Sequence, residues 1–174
     1  NSDRTISAGP SVGRVGVAGK MGRGSGERYF EITHSSVVGA PNNRIGIATA
    51  SWNKNNVVGE DANGAAVSFH GFSYQNGYTG DGNMGTPVPS AAGAVTRIAV
   101  DFDTGKVWVG VNAGWKWGGD PAAGTNPLFT LLSSSDYFPA LTMDSVAAAW
   151  SVTLAERAAD FVYSPPAGFS PWVA

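Results

Sequence analysis

An all-β sandwich is the fold class that this 174-residue chain predicts. Three observations carry the prediction. Short segments alternating apolar with polar residues recur along the chain. Turn residues separate them, with 24 Gly and 10 Pro available for the purpose. No segment carries a convincing amphipathic helical stripe, so βαβ units are not indicated.

The clearest element is a hairpin starting at Val95. Ile98, Val100 and Phe102 alternate with Arg97, Ala99, Asp101 and Asp103, and Val107, Val109 and Val111 resume the alternation after Asp103-Thr104-Gly105. Period-two spacing on both sides of an Asp/Gly turn marks two antiparallel strands. Phe102 falls on the apolar face, so Phe102→Ala is expected to cost about 3–5 kcal/mol as a core truncation. Trp108 faces opposite the valines and is expected to be buried.

The other strands are expected, in order, at Arg14 to Ala18, Arg28 to Thr33, Arg44 to Ala50, Ala66 to Phe72, Phe129 to Leu132, Phe138 to Met143, Ala149 to Leu154 and Ala159 to Tyr163. The Ala-rich stretch Val146 to Ala159 leaves room for one or two turns of helix. Long connections run over Ser35 to Asn43, Ser51 to Gly64, Tyr74 to Ala94 and Gly114 to Asn126. Loops of that length in a compact domain are usually functional. The tail from Ser164 carries Pro165, Pro166 and Gly168. It reads as a closing segment anchored by Phe169 and Trp172.

Composition narrows the function classes. Hydrophobic residues make up 43% and charged residues 14%, with a formal net charge of −2. That balance gives no electrostatic case for nucleic acid or an anionic membrane. No apolar run approaches the roughly 20 residues of a membrane span. The absence of Cys removes disulfides, thiolate metal sites and a Cys nucleophile. One domain is expected over residues 1–174, and the start at Asn1-Ser2-Asp3 suggests a domain cut from a longer protein.

Several segments resemble the SPRY domain, in the order that family shows. Gly26-Glu27-Arg28-Tyr29-Phe30-Glu31-Ile32 is similar to its "G-x-W-Y-F-E-V" strand, with Arg28 where an aromatic is usual. Arg44-Ile45-Gly46-Ile47-Ala48 resembles "R-I-G-W-A", with Ile47 in place of Trp. Phe72 to Asn83 resembles "Y-G-Y-x-G-D-G", Asp101 to Asn112 the "D-x-x-x-G-x-V-W-x-x-x-N-G" hairpin, and Phe138-Pro139-Ala140-Leu141 the "Y-P-A-V" strand. Phe161 to Trp172 resembles the closing "F-x-Y-x-P-P-x-G-F-x-x-W". The stretch Met84 to Ala94 departs from the pattern. The Gly- and Asn-rich loops, and the run Asp120 to Pro127, look like the versions in phage and bacterial proteins.

The resemblance implies a bent sandwich of two antiparallel sheets, of the concanavalin A-like jelly-roll kind, holding ligands in loops at one edge. It implies a non-catalytic binding module without a cofactor, in a phage tail fibre or bacterial surface protein. Such a module would be in a virion or extracellular, or cytoplasmic in a cellular SPRY protein. The partner would be a protein or a cell-surface glycan. A second reading is a structural or assembly module contacting other virion subunits. A third is a sandwich-fold glycan-cleaving enzyme.

The residues themselves favour binding. Trp115 and Trp117 stand two apart in a Gly-rich loop, and Trp52, Tyr74 and Tyr78 stand in polar loops. Aromatics in such places anchor protein partners or stack on sugars. Asn53, Asn55 and Asn56 beside Trp52 offer directional hydrogen bonds. A glycosidase needs two carboxylates about 5–9.5 Å apart, whereas Glu27 and Glu31 in one strand stand roughly 13 Å apart. Asp101-x-Asp103-x-Gly105 lacks the distal acid of a calcium loop, and its bland reading is turn chemistry at Asp103. Gly80-Asp81-Gly82-Asn83 reads as a tight turn. His34 and His70 lack a third metal ligand, and no G-x-S-x-G motif is present. Both read as ordinary surface or half-buried histidines.

Overall fold

The computed structural model describes residues 5–8, 14–36, 43–68, 71–79, 91–143 and 150–174. The strands are β1 (Thr5–Ala8), β2 (Val15–Ala18), β3 (Glu27–Ser36), β4 (Arg44–Thr49), β5 (Gly64–Ser68), β6 (Ser73–Gln75), β7 (Tyr78–Thr79), β8 (Val95–Asp101), β9 (Lys106–Val111), β10 (Gly114–Trp115), β11 (Phe129–Thr130), β12 (Tyr137–Met143), β13 (Trp150–Ala155) and β14 (Ser170–Pro171). They form two sheets. The first runs β1-β13-β3-β8-β9-β10, with β11 also on β9 and β14 on β3; the second runs β2-β12-β4-β5-β6-β7. All these pairings are antiparallel except that of β14 with β3. The all-β, two-sheet sandwich is the class the alternation pattern predicted.

The core lies between the sheets. Phe30 and Ile32 of β3, Ile98 and Val100 of β8, and Val107 and Val109 of β9 meet Ile45 and Ile47 of β4, Val67 of β5, and Leu141 and Met143 of β12. Each outer face is also covered. On the second sheet Trp52 and Val58 pack over Ala48, Ala66 and Ala140. On the first, Phe169 packs over Tyr29, Ala99 and Trp108. The central strands are therefore buried on both faces, as the run of six buried residues in β4 shows.

The hairpin β8–β9 pairs Ile98 with Val109 and Val100 with Val107. Its turn differs in one detail from expectation. Asp101, not Asp103, makes the local cap: its Oδ1 accepts from the backbone N–H groups of Asp103 and Thr104, and its Oδ2 from the Thr104 hydroxyl. Asp103 instead reaches the N–H of Gly26 at 3.0 Å. Phe102 sits within this turn and is only half-buried, at 5.8 Å from the Trp172 ring and 6.2 Å from Tyr137. The expected cost of Phe102→Ala falls accordingly to about 2 kcal/mol, measurable by urea unfolding.

Two strand expectations need correction. The strand expected over Ala66 to Phe72 starts earlier, at Gly64, and ends at Ser68, because Gly71 N–H turns back onto Ser68 O. The segment Ala159 to Tyr163 is not a strand. A 3-10 turn covers Ala158–Asp160, and Val162 and Tyr163 donate their N–H groups to a side chain rather than to a neighbouring strand. In the Ala-rich stretch, Trp150–Ala155 is strand and that single turn is the described helical piece. Residues 144–149, like Gly80 to Asn83 and His70, lie outside the described residues.

Phe169 and Trp172 do anchor the tail. Phe169 stands edge-on to Trp108 at 6.1 Å, and Trp172 is fully buried between the sheets. Glu31 ties down the start of the same tail. Its carboxylate is fully buried and accepts from the Tyr29 hydroxyl at 2.6 Å, Val162 N–H at 2.7 Å and Tyr163 N–H at 2.9 Å. Burial, together with this carboxylate, pushes the Tyr29 hydroxyl well above its ordinary range, so it stays a donor. Among the described residues no helix is long and apolar enough to cross a membrane.

Candidate functional site

The loop between β9 and β11 is built to hold its shape. It starts at Asn112, which takes a left-handed conformation (φ 50°) and accepts the N–H of Val95 on its side-chain oxygen at 3.0 Å. Asn tolerates that region better than other non-Gly residues. The chain then returns as β10, pairing Trp115 with Gly110.

That pairing completes one row across the outer face of the first sheet: Glu31, Arg97, Gly110, Trp115. Arg97 crosses over Gly110 to stack on the Trp115 ring, 4.4 Å from its centroid, while Tyr163 lies 4.9 Å away. A Cβ on Gly110 would sit 3.1 Å from Arg97 Nε and Nη2, so the missing side chain is what lets the guanidinium pass. Arg97 is 5% exposed. Two aromatic faces supply part of the attraction it loses with water.

Beyond Trp115 a 3-10 turn spans Lys116–Gly118. Trp117 within it adopts φ 54°, ψ 33°. A bulky side chain in the left-handed region costs on the order of 1–2 kcal/mol. The residue is nevertheless 43% exposed, so core burial does not account for that cost. The return limb is pinned by two side chains from β9 and by one bond within the loop. Trp108 Nε1 donates to Thr125 O at 2.7 Å, Lys106 Nζ to Gly124 O at 2.9 Å, and Asn126 Nδ2 to Gly118 O at 3.1 Å. An Asp120–Thr125 bridge closes the tip. Trp108, expected to be buried, is 1% exposed and anchors the loop from beneath.

The other expected site residues do not gather here. Trp52 was expected as an exposed platform and is instead 5% exposed, covering the small residues of the second sheet's outer face. Gly16 leaves room for its ring: a Cβ there would lie 2.8 Å from Trp52 Cη2. Asn53, Asn55 and Asn56 are exposed, and Asn53 caps its own turn by accepting the Asn55 N–H at 3.0 Å. Tyr74 is half-buried and is itself a platform, with the Arg44 guanidinium 3.4 Å from its ring centroid. The Tyr78 side chain lies outside the described residues. Trp115 and Trp117 are thus on one outer face of the sandwich and Trp52 with its asparagines on the other. Arg97, Tyr163 and Glu31 belong to the site's support and were not singled out from the sequence.

Among the described residues no group of three His, Cys, Asp or Glu side chains is placed to hold a metal. His34, read as a surface or half-buried residue, is fully buried in β3 with Nε2 3.0 Å from the Thr96 hydroxyl.

No protein-family model matches the chain, and no curated protein matches it. Among solved structures it is similar to the SPRY domain of human HERC1, with a TM-score of 0.67, 14% identity and 87% of each chain covered. With two antiparallel sheets closed by a tail that places Trp172 inside the core, the fold is SPRY-like.

Proposed function

We propose that this chain is a non-catalytic module that binds a protein partner through the loop over residues 112–126, with Trp117 as its anchor. The observation that carries this reading is the conformation of Trp117: a left-handed tryptophan, 43% exposed, on a loop fixed at both ends. Local strain of this kind concentrates at recognition sites. A loop already ordered loses less entropy on binding, and exposed Trp is a frequent hot-spot residue. The SPRY-like fold supports the reading, since SPRY domains serve as binding modules. Binding needs no proton transfer, and Glu31 beside the loop's support is fully engaged by three donors.

The test is capture of partners by the isolated chain, run beside a glycan array and repeated with two variants. Trp117→Ala is expected to weaken capture by roughly 30-fold or more, as for a hot-spot residue, with little change in melting temperature. Trp115→Ala is expected to lower stability by about 1–2 kcal/mol, since it uncovers Arg97. Unchanged capture by folded Trp117→Ala would remove the loop from the site. Glycan signals lost in the same variant would keep the site and change its ligand class.

A further inference from the structure

We propose that the open cavity beside the β8–β9 turn is a second subsite, for a long basic side chain, lysine or arginine, presented by a partner protein. It goes beyond the Trp117 loop and shares no residue with it. The cavity measures about 300 Å³ and is lined by Phe102, Leu131 and Leu132 on its apolar side, with Ser133, Ser134 and Ser135 on its polar side. That volume lies at the lower end for ligand pockets, which fits a single side chain better than a larger molecule. Leu132 is 51% exposed, so its apolar surface is offered to solvent.

Charge selects the occupant. Gly24 forms part of the wall, and the exposed Asp136 carboxylate, itself outside the lining, stands beside Gly24: a Cβ on Gly24 would be 2.5 Å from Asp136 Oδ1. Asp103 follows Phe102 in the turn and is held at Gly26. Neither carboxylate has an ion pair among the described residues. Lys106 is directed to Gly124 O and Arg23 to Trp172 O, and the Arg28 guanidinium, which stands near Gly26, pairs with neither carboxylate among the described residues. A purely apolar ligand would strip water from Asp136 without compensating it, and an anion would be repelled. Lysine and arginine combine an apolar stem with a terminal cation, matching the leucine wall and the carboxylates together.

Pentylammonium, pentanol and hexanoate, titrated into the full chain and followed by NMR, test this. Saturable shifts are expected at Leu131, Leu132 and Ser134. Pentylammonium should bind roughly two- to fivefold tighter than pentanol, the range of an exposed ion pair, and hexanoate more weakly than either. Asp136→Asn, at an exposed position, should bring pentylammonium down to the level of pentanol. Trp117→Ala should leave the titration unchanged, so loss of partner capture in that variant bears only on the loop. Absence of saturable shifts, equal affinity for the three probes, or an unaltered preference in Asp136→Asn would overturn the proposal.

Discussion

Trp172→Ala is expected to cost about 3–5 kcal/mol, the range for truncating a buried large aromatic. The residue stands third from the end of the chain, yet it is fully buried. Its ring meets Phe30 edge-on at 5.2 Å and Phe102 at 5.8 Å. Its indole N–H donates to Met21 O at 2.8 Å, its backbone N–H to Tyr29 O at 2.9 Å, and its carbonyl accepts from Arg23 Nε at 2.7 Å. Alanine would empty the space between the sheets and leave the Met21 carbonyl without its partner. A domain holds only about 5–15 kcal/mol in total. A chain of this length loses about 2–4 °C of melting temperature per kcal/mol, so a fall of roughly 6–20 °C is expected. A loss below about 1 kcal/mol in urea unfolding, against the burial expected to be at stake, would mean that the tail does not close the core.

The same tail shows what local patterning reveals and what it does not. Phe169 and Trp172 were legible as anchors because two large aromatics stand in a Pro- and Gly-rich stretch that cannot be helix or central strand. The hairpin was legible because its turn residues and its period-two spacing agree. Glu31 was not. Its partners Val162 and Tyr163 are 131 and 132 residues away, and nothing near Glu31 in sequence announces a buried carboxylate. Trp52 misled because it stands among asparagines. The signal that places it inside is elsewhere, in the alanines Ala48, Ala66 and Ala140, whose small side chains leave a shelf for the ring. Arg97 follows the polar positions of its strand, and alternation assigns such positions to solvent. Here the outer face is covered, so the position is buried and the charge has to be met by rings. The left-handed conformation of Trp117 depends on how the pinned loop closes, and its neighbouring glycines only permit it.

Acid is expected to destabilise the protein through His34 before most carboxylates protonate. Burial lowers the imidazole pKa from its ordinary value near 6.5 to about 4. The unfolded chain therefore binds a proton at this residue in a range where the folded chain does not. Stability from this source is fully present above about pH 6.5. It is lost as pH falls towards 4 and levels off below that. One proton gives about 1.4 kcal/mol per pH unit, so about 3 kcal/mol is at stake over the whole window. Between pH 7 and 5 the expected loss is about 2 kcal/mol, read from urea unfolding at fixed ionic strength. His34→Gln should be less stable at pH 7, because it disturbs the contact with Thr96. It should also show a much flatter pH dependence over that range. His70→Gln is the control for the other histidine. A wild-type stability that stays level from pH 7 to 5 would show that His34 takes up its proton in the folded state as readily as in the unfolded one.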